Sequence, residues 1–190
     1  MKKLAIDSYY YSETDSYSVG FVFDTWADSS PVKVLESHVS NFGPYIPGEF
    51  YKRELPGVLS IVRQIDLLEF DTIIIDGYVS MVDKDFNELP GLGMKLSEKI
   101  EMHDKLTIIG VAKSLFGRSD ITSIPVIRGE ASTPIWVSSV GEFDNLSASK
   151  LIKSMAGKYK LPDILKLLDK ETKKYKNYDE FNKETFQKTS

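Results

Sequence analysis

The first forty residues contain three short runs of strand-forming residues, separated by polar segments. We predict strands over residues 4–8, 18–24 and 32–40. The segments between them, 12–16 and 28–31, are rich in serine and aspartate, which favour turns. Short strands joined by such turns are typical of an antiparallel meander, so we predict that the chain begins with three antiparallel strands.

The pattern then changes to helical spacing, followed by continuous apolar runs. Residues 49–68 place apolar side chains at helical intervals and predict a helix that Pro56 kinks or restarts. Residues 70–76 and 106–111 are apolar runs that suit strands covered on both faces. A helix predicted near 94–102 separates them, and this strand–helix–strand order predicts a parallel pair.

The remaining pattern predicts strands over 124–128 and 134–138, and helices over 146–155 and 162–174, with Pro162 suited to a helix start. The whole order predicts an α/β fold with one mixed sheet, an antiparallel three-stranded start followed by parallel strands, and helices on its faces. No repeat or linker is evident. We therefore predict a single domain over residues 1–175 and a polar C-terminal tail over 176–190.

Composition narrows the chemistry that this fold can perform. The 190 residues include no cysteine and two histidines, which excludes disulfides, thiolate zinc sites and cysteine nucleophiles. Catalysis must then rest on carboxylates, lysine or hydroxyls. With 24 basic and 28 acidic residues the net charge is −4, so the chain has no bulk cationic character for non-specific binding of nucleic acid.

Nothing in the pattern predicts contact with a membrane. The apolar runs are far shorter than the roughly 20 residues that cross a bilayer. The first residues include two lysines and then Asp7, without the apolar core of a signal peptide. We expect a cytoplasmic protein that does not bind a membrane.

Two predicted strands end in aspartate, Asp7 on the first and Asp76 after the isoleucine run at 73–75. A carboxylate at the end of a buried strand is costly unless it is paired or binds a cation. Mg²⁺ or Mn²⁺ would relieve the repulsion between two such aspartates on adjacent strands. The alternative is that each aspartate caps a turn, which Gly77 would favour directly after Asp76.

Four segments, in the same order and at similar spacing, resemble motifs of the endonuclease V family. They are an aspartate on the first strand, PYIPG at 44–48 followed by RE at 53–54 and a proline at 56, IDG at 75–77, and IGVAKS at 109–114. Weaker similarity continues through 134–138 and 159–162, so the resemblance covers almost the whole chain.

The resemblance implies a ribonuclease H-like fold and a Mg²⁺-dependent endonuclease, with Mn²⁺ as an alternative metal. It implies that the substrate is DNA or RNA containing inosine, that one phosphodiester bond on the 3′ side of the lesion is cleaved, and that the protein acts as a monomer. The family's metal-binding carboxylates match Asp7, Glu54 and Asp76, and Lys113 matches a lysine beside the scissile phosphate. Asp169 matches a position for a further metal ligand.

The resemblance also implies a set of residues that bind the substrate. Tyr45, held with Pro47 in a proline-stiffened loop, matches the wedge that opens the duplex beside the lesion. Gly48, Gly77 and Gly110 match glycines around the base pocket, where a missing side chain lets the backbone approach the base.

The chain departs from the family after Gly77. A second glycine and a His-Pro-Arg stretch that contacts the substrate are replaced by the sequence YVSMVDKDF at 78–86. Asp83 and Asp85 in this segment would repel a phosphate. The basic residues that could compensate are Lys52, Arg53, Arg118 and Arg128.

Several alternatives stay open at this point. Glu54 could be a solvated helix residue paired with Arg53 or Lys52, and Asp169 could belong to an exposed ion pair on its helix. The second functional hypothesis is a nucleic-acid-binding protein on the same scaffold, with weak catalysis or lost lesion specificity. A third is that the motif matches are accidental, which predicts that Asp7, Glu54 and Asp76 do not converge in space.

Overall fold

The structure is a computed structural model that describes residues 1–12, 15–40 and 51–174. Within these residues a seven-stranded sheet has the strand order β3-β2-β1-β4-β7-β9-β8, and β5 and β6 form a separate hairpin. The strands are β1 (Lys2–Tyr10), β2 (Asp15–Phe23), β3 (Lys33–Ser40), β4 (Phe70–Asp76), β5 (Ser80–Val82), β6 (Glu88–Pro90), β7 (Thr107–Ala112), β8 (Ile124–Val126) and β9 (Ile135–Gly141). The α-helices are α1 (Tyr51–Val62), α2 (Leu92–Ser97), α3 (Asn145–Ser154) and α4 (Asp163–Thr172).

The sheet confirms the predicted mixed α/β architecture. Strands β1, β2 and β3 are antiparallel neighbours, and β4 runs parallel to both β1 and β7. The last two strands differ from the expectation of further parallel strands, because β9 is antiparallel to β7 and to β8. A parallel pair needs a long crossover, usually a helix, and the short link from β8 to β9 contains no helix.

Alternate residues of β4 enter two separate cores. Ile73 and Ile75 pack with α1 and α2 on one face of the sheet. Ile74 packs with α3 and α4 on the other face. The continuous isoleucine run is therefore explained by burial on both faces, as the sequence predicts.

The helices agree with the sequence in position more than in length. Helix α1 continues through Pro56, so the expected restart does not occur. The helix ends at Val62, and a 3₁₀ turn (Leu67–Glu69) precedes β4. The β5–β6 hairpin was not predicted. None of the described helices is long and apolar enough to cross a bilayer. The expected tail at 176–190 lies outside the described residues.

Candidate active site

Three of the predicted metal-binding residues line one small cavity at the end of the sheet: Asp7, Glu54 and Asp76. The topology explains why the two aspartates meet. Strands β1 and β4 are parallel and pair Ile6 with Ile75, so the next residue on each strand is an aspartate. Asp76 ends β4 as expected, whereas Asp7 lies within β1, which continues to Tyr10. The structure therefore brings the three residues to one cavity, and their binding of a metal stays a prediction.

Glu54 reaches the same cavity from α1, which packs across β1, β2 and β3. Val58, one helical turn further on, is buried in the core and also lines the cavity. Residues four apart lie on the same face of a helix, so the face that packs on the sheet also carries Glu54. The Arg53 guanidinium lies over the Tyr10 ring at 4.7 Å.

The carboxylates share a poorly hydrated, negatively charged space. Burial, followed by the charge of Asp76, raises the pKa of Asp7 to about 6. Burial and the charges of Asp76 and Asp7 raise the pKa of Glu54 well above its usual value. Asp7 accepts hydrogen bonds from the backbone N–H of Ser8 at 2.8 Å and from Thr172 Oγ1 at 3.3 Å. A cation in this space would relieve the repulsion among the three acids.

Lys113, directly after β7, links the sheet end to α4. Its Nζ lies 2.8 Å from Asp76 Oδ2 and 2.9 Å from Asp169 Oδ1. Burial lowers the pKa of Lys113, but the charge and hydrogen bond of Asp76, with the hydrogen bond to Asp169, outweigh it and raise the pKa. The lysine is therefore a permanent positive charge beside the acidic cavity.

Asp169 is held by two lysines. Lys173 Nζ lies 2.5 Å from Asp169 Oδ2, and Lys113 contacts the other carboxylate oxygen. Burial acts to raise the pKa of Asp169, but hydrogen bonds from Lys173 and Lys113 outweigh it and the pKa is lowered. Asp169 thus belongs to an ion pair on its helix and lines the space beside Asp7 and Asp76, and its role as a metal ligand stays a prediction.

The donor set fits a hard divalent cation, although it is not a closed cage. Among the described residues, no three acidic or histidine side chains are arranged to hold a metal ion directly. Mg²⁺ typically keeps several waters and uses one or two carboxylates together with substrate phosphates, so a closed cage is not required. The oxygen atoms of Asp7, Glu54 and Asp76 have the chemistry that Mg²⁺ and Mn²⁺ prefer.

A larger pocket of about 400 Å³ opens beside the carboxylates and includes Glu54, Asp76, Gly77 and Tyr78 in its lining. The Tyr78 hydroxyl donates to the carbonyl oxygen of Ser114 at 2.8 Å, which fixes one wall. Gly77 has a φ of +118°, and a Cβ added there would meet no atom within 4 Å. The pocket is therefore open at Gly77, where no side chain fills it.

Gly110 has a packing role behind the pocket. It is buried and is not among the residues that line this pocket. A Cβ at Gly110 would lie 2.6 Å from the carbonyl oxygen of Gly77 and 2.9 Å from the backbone nitrogen of Val79. Its missing side chain lets the segment after β4 pack against β7, so Gly110 positions the pocket wall. Its contact with a base stays a prediction.

The segment that replaces the family's His-Pro-Arg stretch forms the β5–β6 hairpin. Asp83 lies at its turn and accepts hydrogen bonds from the backbone N–H groups of Asp85 and Asn87, each at 2.8 Å. The exposed Phe86 ring lies 4.7 Å from the guanidinium of Arg118. Asp83 therefore has a structural role in the turn.

The expected compensating role of Arg128 is wrong. Its side chain is buried, and its guanidinium donates to the carbonyl oxygens of Tyr159 at 3.1 Å and of Ala156 and Gly157 at 3.3 Å. A group that binds this many backbone oxygens is not available to a phosphate. Sequence alone does not distinguish such an arginine from a surface one.

Other residues of the site were not predicted, and some predicted ones are not described. Thr172 and Tyr78 carry no motif, and Ser138 lies only in the weaker similarity at 134–138. Ser138 Oγ accepts the backbone N–H of Val79 at 3.0 Å and so supports the pocket wall. In the sequence, Thr172 is marked only by its position near Asp169 and Tyr78 by its position next to Gly77. Ser138 is marked only by its place on a predicted strand. Tyr45, Pro47 and Gly48 lie outside the described residues.

The fold is a mixed α/β sheet with helices on both faces, and acidic residues of β1, β4 and α1 meet at one cavity. No known family profile matches the sequence. No curated protein is significantly similar to it in sequence.

Solved structures of endonuclease V are similar to this chain in fold. Human ENDOV is 16% identical, with a TM-score of 0.68 over 94% of this chain and 85% of that chain. An endonuclease V from Ciona intestinalis, solved with a 24-mer DNA containing an inosine followed by a ribo-adenosine, is 17% identical, with a TM-score of 0.70 over 91% and 84%. The Streptomyces avermitilis endonuclease V is 20% identical, with a TM-score of 0.62 over 92% and 80%. The chain has an endonuclease V-like fold.

Proposed function

We propose that this chain is a metal-dependent endonuclease that cleaves a phosphodiester bond on the 3′ side of inosine in DNA or RNA. The observation that carries the proposal is the meeting of Asp7, Glu54 and Asp76 in one cavity, beside the permanent charge of Lys113. The endonuclease V-like fold supports it, and so does the presence of inosine-containing DNA in the Ciona structure.

The metal would be Mg²⁺, with Mn²⁺ as an alternative, held by Asp7, Glu54 and Asp76. When bound, the ion would supply an activated water and compensate the charge of the leaving 3′ oxygen. In this proposal Asp169 is a further ligand, because Lys113 forms ion pairs with both Asp76 and Asp169 and so holds the two carboxylates near each other. Asp7, with a pKa raised to about 6, is ionised at neutral pH and able to bind a cation.

Lys113 would stabilise charge on the scissile phosphate. An ammonium group is a compact point charge with three donors, two of which are used by Asp76 and Asp169 in the absence of substrate. A phosphate oxygen would compete for this group, and the metal would take over the carboxylates. Lys113 would thus contact the reacting group directly.

The base would enter the pocket beside Gly77. At about 400 Å³ the pocket is of the size that ligand sites generally have. Gly77 has no side chain and so leaves room for a flipped base at this wall, and Tyr78 and Phe116 form apolar walls. In this proposal Tyr45 is the wedge, with Pro47 and Gly48 beside it, and Gly110 supports the pocket.

Cleavage of end-labelled oligonucleotides tests the proposal. DNA and RNA, each with and without one inosine, are incubated with the protein in Mg²⁺, in Mn²⁺ and in EDTA. We expect cutting that requires both inosine and metal, with the product end mapped to the 3′ side of the lesion. Cutting that is independent of inosine would remove the specificity from the proposal, and no cutting of any substrate would remove the catalysis.

The second candidate is a nucleic-acid-binding protein on the same scaffold. The observation that favours it is the engagement of Asp76 and Asp169 by Lys113, since a strong ion pair competes with a metal for the same oxygens. In this case the protein would bind inosine-containing oligonucleotides without cutting them. The same experiment, with binding measured in parallel, separates the two candidates.

A further inference from the structure

A second groove, of about 630 Å³, adjoins the candidate active site and has different chemistry. Lys113 and Leu161 line both this groove and the space beside Asp7 and Asp76, so the two adjoin. Lysines dominate the rest of the groove, around one aromatic ring. Its remaining lining residues are Glu130, Ala131, Lys158, Tyr159, Lys160 and Lys166.

The ring of Tyr159 is exposed to solvent, and two lysine ammonium groups lie near it. Tyr159 is 50% exposed, although large aromatic side chains are mostly well buried in folded proteins. The ammonium of Lys166 lies 3.8 Å from the ring centroid and that of Lys158 lies 5.7 Å away. An exposed ring with adjacent ammonium groups is the combination that binds unpaired bases and their phosphates.

The loop that carries Tyr159 is held rigidly from below. The buried guanidinium of Arg128 donates to its carbonyl oxygens, including that of Tyr159 at 3.1 Å. Gly129, with a φ of +56°, lets the loop pack closely, because a Cβ there would overlap the carbonyl oxygen of Lys158. The ring is therefore presented on a fixed backbone, which lowers the entropy lost when a ligand stacks on it.

Lys160 connects the groove to the active-site lysine. Its Nζ donates to the carbonyl oxygen of Lys113 and to Thr133 Oγ1, both at 2.9 Å. An ammonium has three donors, so one is left for a phosphate. With Lys158 and Lys166, this makes three cations in the groove against the single carboxylate of Glu130, in addition to Lys113, whose charge Asp76 and Asp169 offset.

We propose that this Tyr159 groove binds a single-stranded segment of the nucleic acid next to the cleaved bond, with one base stacked on Tyr159 and phosphates on Lys158, Lys160 and Lys166. The inference rests on the proposed function, since it gives that substrate a single-stranded flank. Stacking on the ring requires an unpaired base, so a continuous duplex cannot bind the groove in this way. The base would stack on the ring of Tyr159 in place of the Lys166 ammonium, and Lys166 would then bind a phosphate.

Binding to single strands tests the groove separately from cleavage. Anisotropy of a labelled single-stranded oligonucleotide and of the matching duplex is measured with full-length Asp76→Asn protein, to prevent cleavage. We expect Tyr159→Ala to weaken single-strand binding about tenfold, in line with the loss of one stacked base, and Tyr159→Phe to stay within about twofold. Duplex binding should change little in either variant.

The lysines are tested by salt dependence. We expect the Lys158→Ala/Lys166→Ala double variant to reduce the slope of log affinity against log salt by about 1.4, because each phosphate contact on a single strand contributes about 0.7. Lys33→Ala, an exposed lysine on the opposite edge strand β3, is the matched control and should leave the slope unchanged. An equal effect of the control and the double variant would contradict the groove.

A direct contact gives an independent readout. Ultraviolet irradiation with a 5-iodouracil oligonucleotide should crosslink to Tyr159, located by mass spectrometry. Unchanged binding by Tyr159→Ala together with no crosslink overturns the proposal, even if the wild type cleaves inosine substrates. Tyr159-dependent binding by a wild type that cuts nothing supports the groove and overturns the nuclease, so the two failures are distinguishable.

Discussion

Lys113 Nζ lies 2.8 Å from Asp76 Oδ2 and 2.9 Å from Asp169 Oδ1, so one ammonium joins the end of β4 to α4. This contact places a fixed positive charge where a divalent cation would have to approach Asp76. The lysine is thus both a candidate catalytic group and a competitor of the metal, and these two roles predict opposite effects of the same substitution.

Lys113→Gln should lower the cleavage rate and strengthen metal binding. We expect cleavage to fall about a hundredfold, the size of effect seen when one donor to a transition-state charge is removed. Mg²⁺ binding without nucleic acid should become several-fold tighter, because the metal no longer displaces an ammonium from Asp76. Calorimetric titration and single-turnover rates check the two effects. Lys105→Gln, an exposed lysine before β7, should change neither, and weaker metal binding in Lys113→Gln would contradict the competition.

Asp7→Asn should stabilise the metal-free protein at neutral pH. The pKa of Asp7 is raised from 3.8 to about 6, so the fold is penalised once the group ionises. This loss of unfolding free energy is absent below the ordinary pKa and grows as the pH rises through about 6. At 1.36 kcal/mol per pKa unit it reaches up to about 3 kcal/mol. Urea unfolding in EDTA at pH 3.5 and 8 measures the difference. An equal stability of the variant and wild type at pH 8 would count against this burial.

Gly110→Ala should disturb the pocket through the segment after β4. The added Cβ would lie 2.6 Å from the carbonyl oxygen of Gly77, so the backbone must move. Overpacking of this kind typically costs about 1–3 kcal/mol of unfolding free energy. Cleavage should fall as well, because Gly77 borders both the pocket and Asp76. A variant with unchanged stability and activity would show that the Gly77 segment is not held by this contact.

Arg128→Met should destabilise the protein, because the buried guanidinium holds a loop by its carbonyl oxygens. We expect a loss of about 2–3 kcal/mol in unfolding free energy, measured by urea titration, since hydrogen bonds to charged groups are stronger than neutral ones. Arg118→Met is the control: Arg118 is exposed and pairs with Asp120 at 3.2 Å, so its removal should cost less than about 1 kcal/mol. Equal losses would contradict the structural role of Arg128.

The sequence predicted the sheet well where long apolar runs carried the signal. The isoleucine run of β4 and the aspartate that ends it located Asp76, and the first strand located Asp7 in the same way. Glu54 was different, because helical spacing alone left it as a solvated residue and only the resemblance singled it out. Its place in the cavity depends on how α1 packs, which the sequence pattern does not encode.

Other features could not be predicted for physical reasons. Strands β5 and β6 have three residues each, too few for a periodic pattern. Arg128 resembles a surface arginine until its carbonyl partners are known. The dual environment of Asp169 arises from Lys113, which is distant in sequence but adjacent in space.

The central claim is that the cavity of Asp7, Glu54 and Asp76 is a metal-dependent centre for phosphodiester hydrolysis. The most direct measurement is the single-turnover rate of cleavage of an inosine oligonucleotide in Mg²⁺ by wild type, Asp76→Asn and Asp104→Asn, the last an exposed aspartate outside the site. We expect Asp76→Asn to lose at least about a thousandfold in rate and Asp104→Asn to match the wild type. Cleavage by Asp76→Asn at the wild-type rate would contradict the central claim.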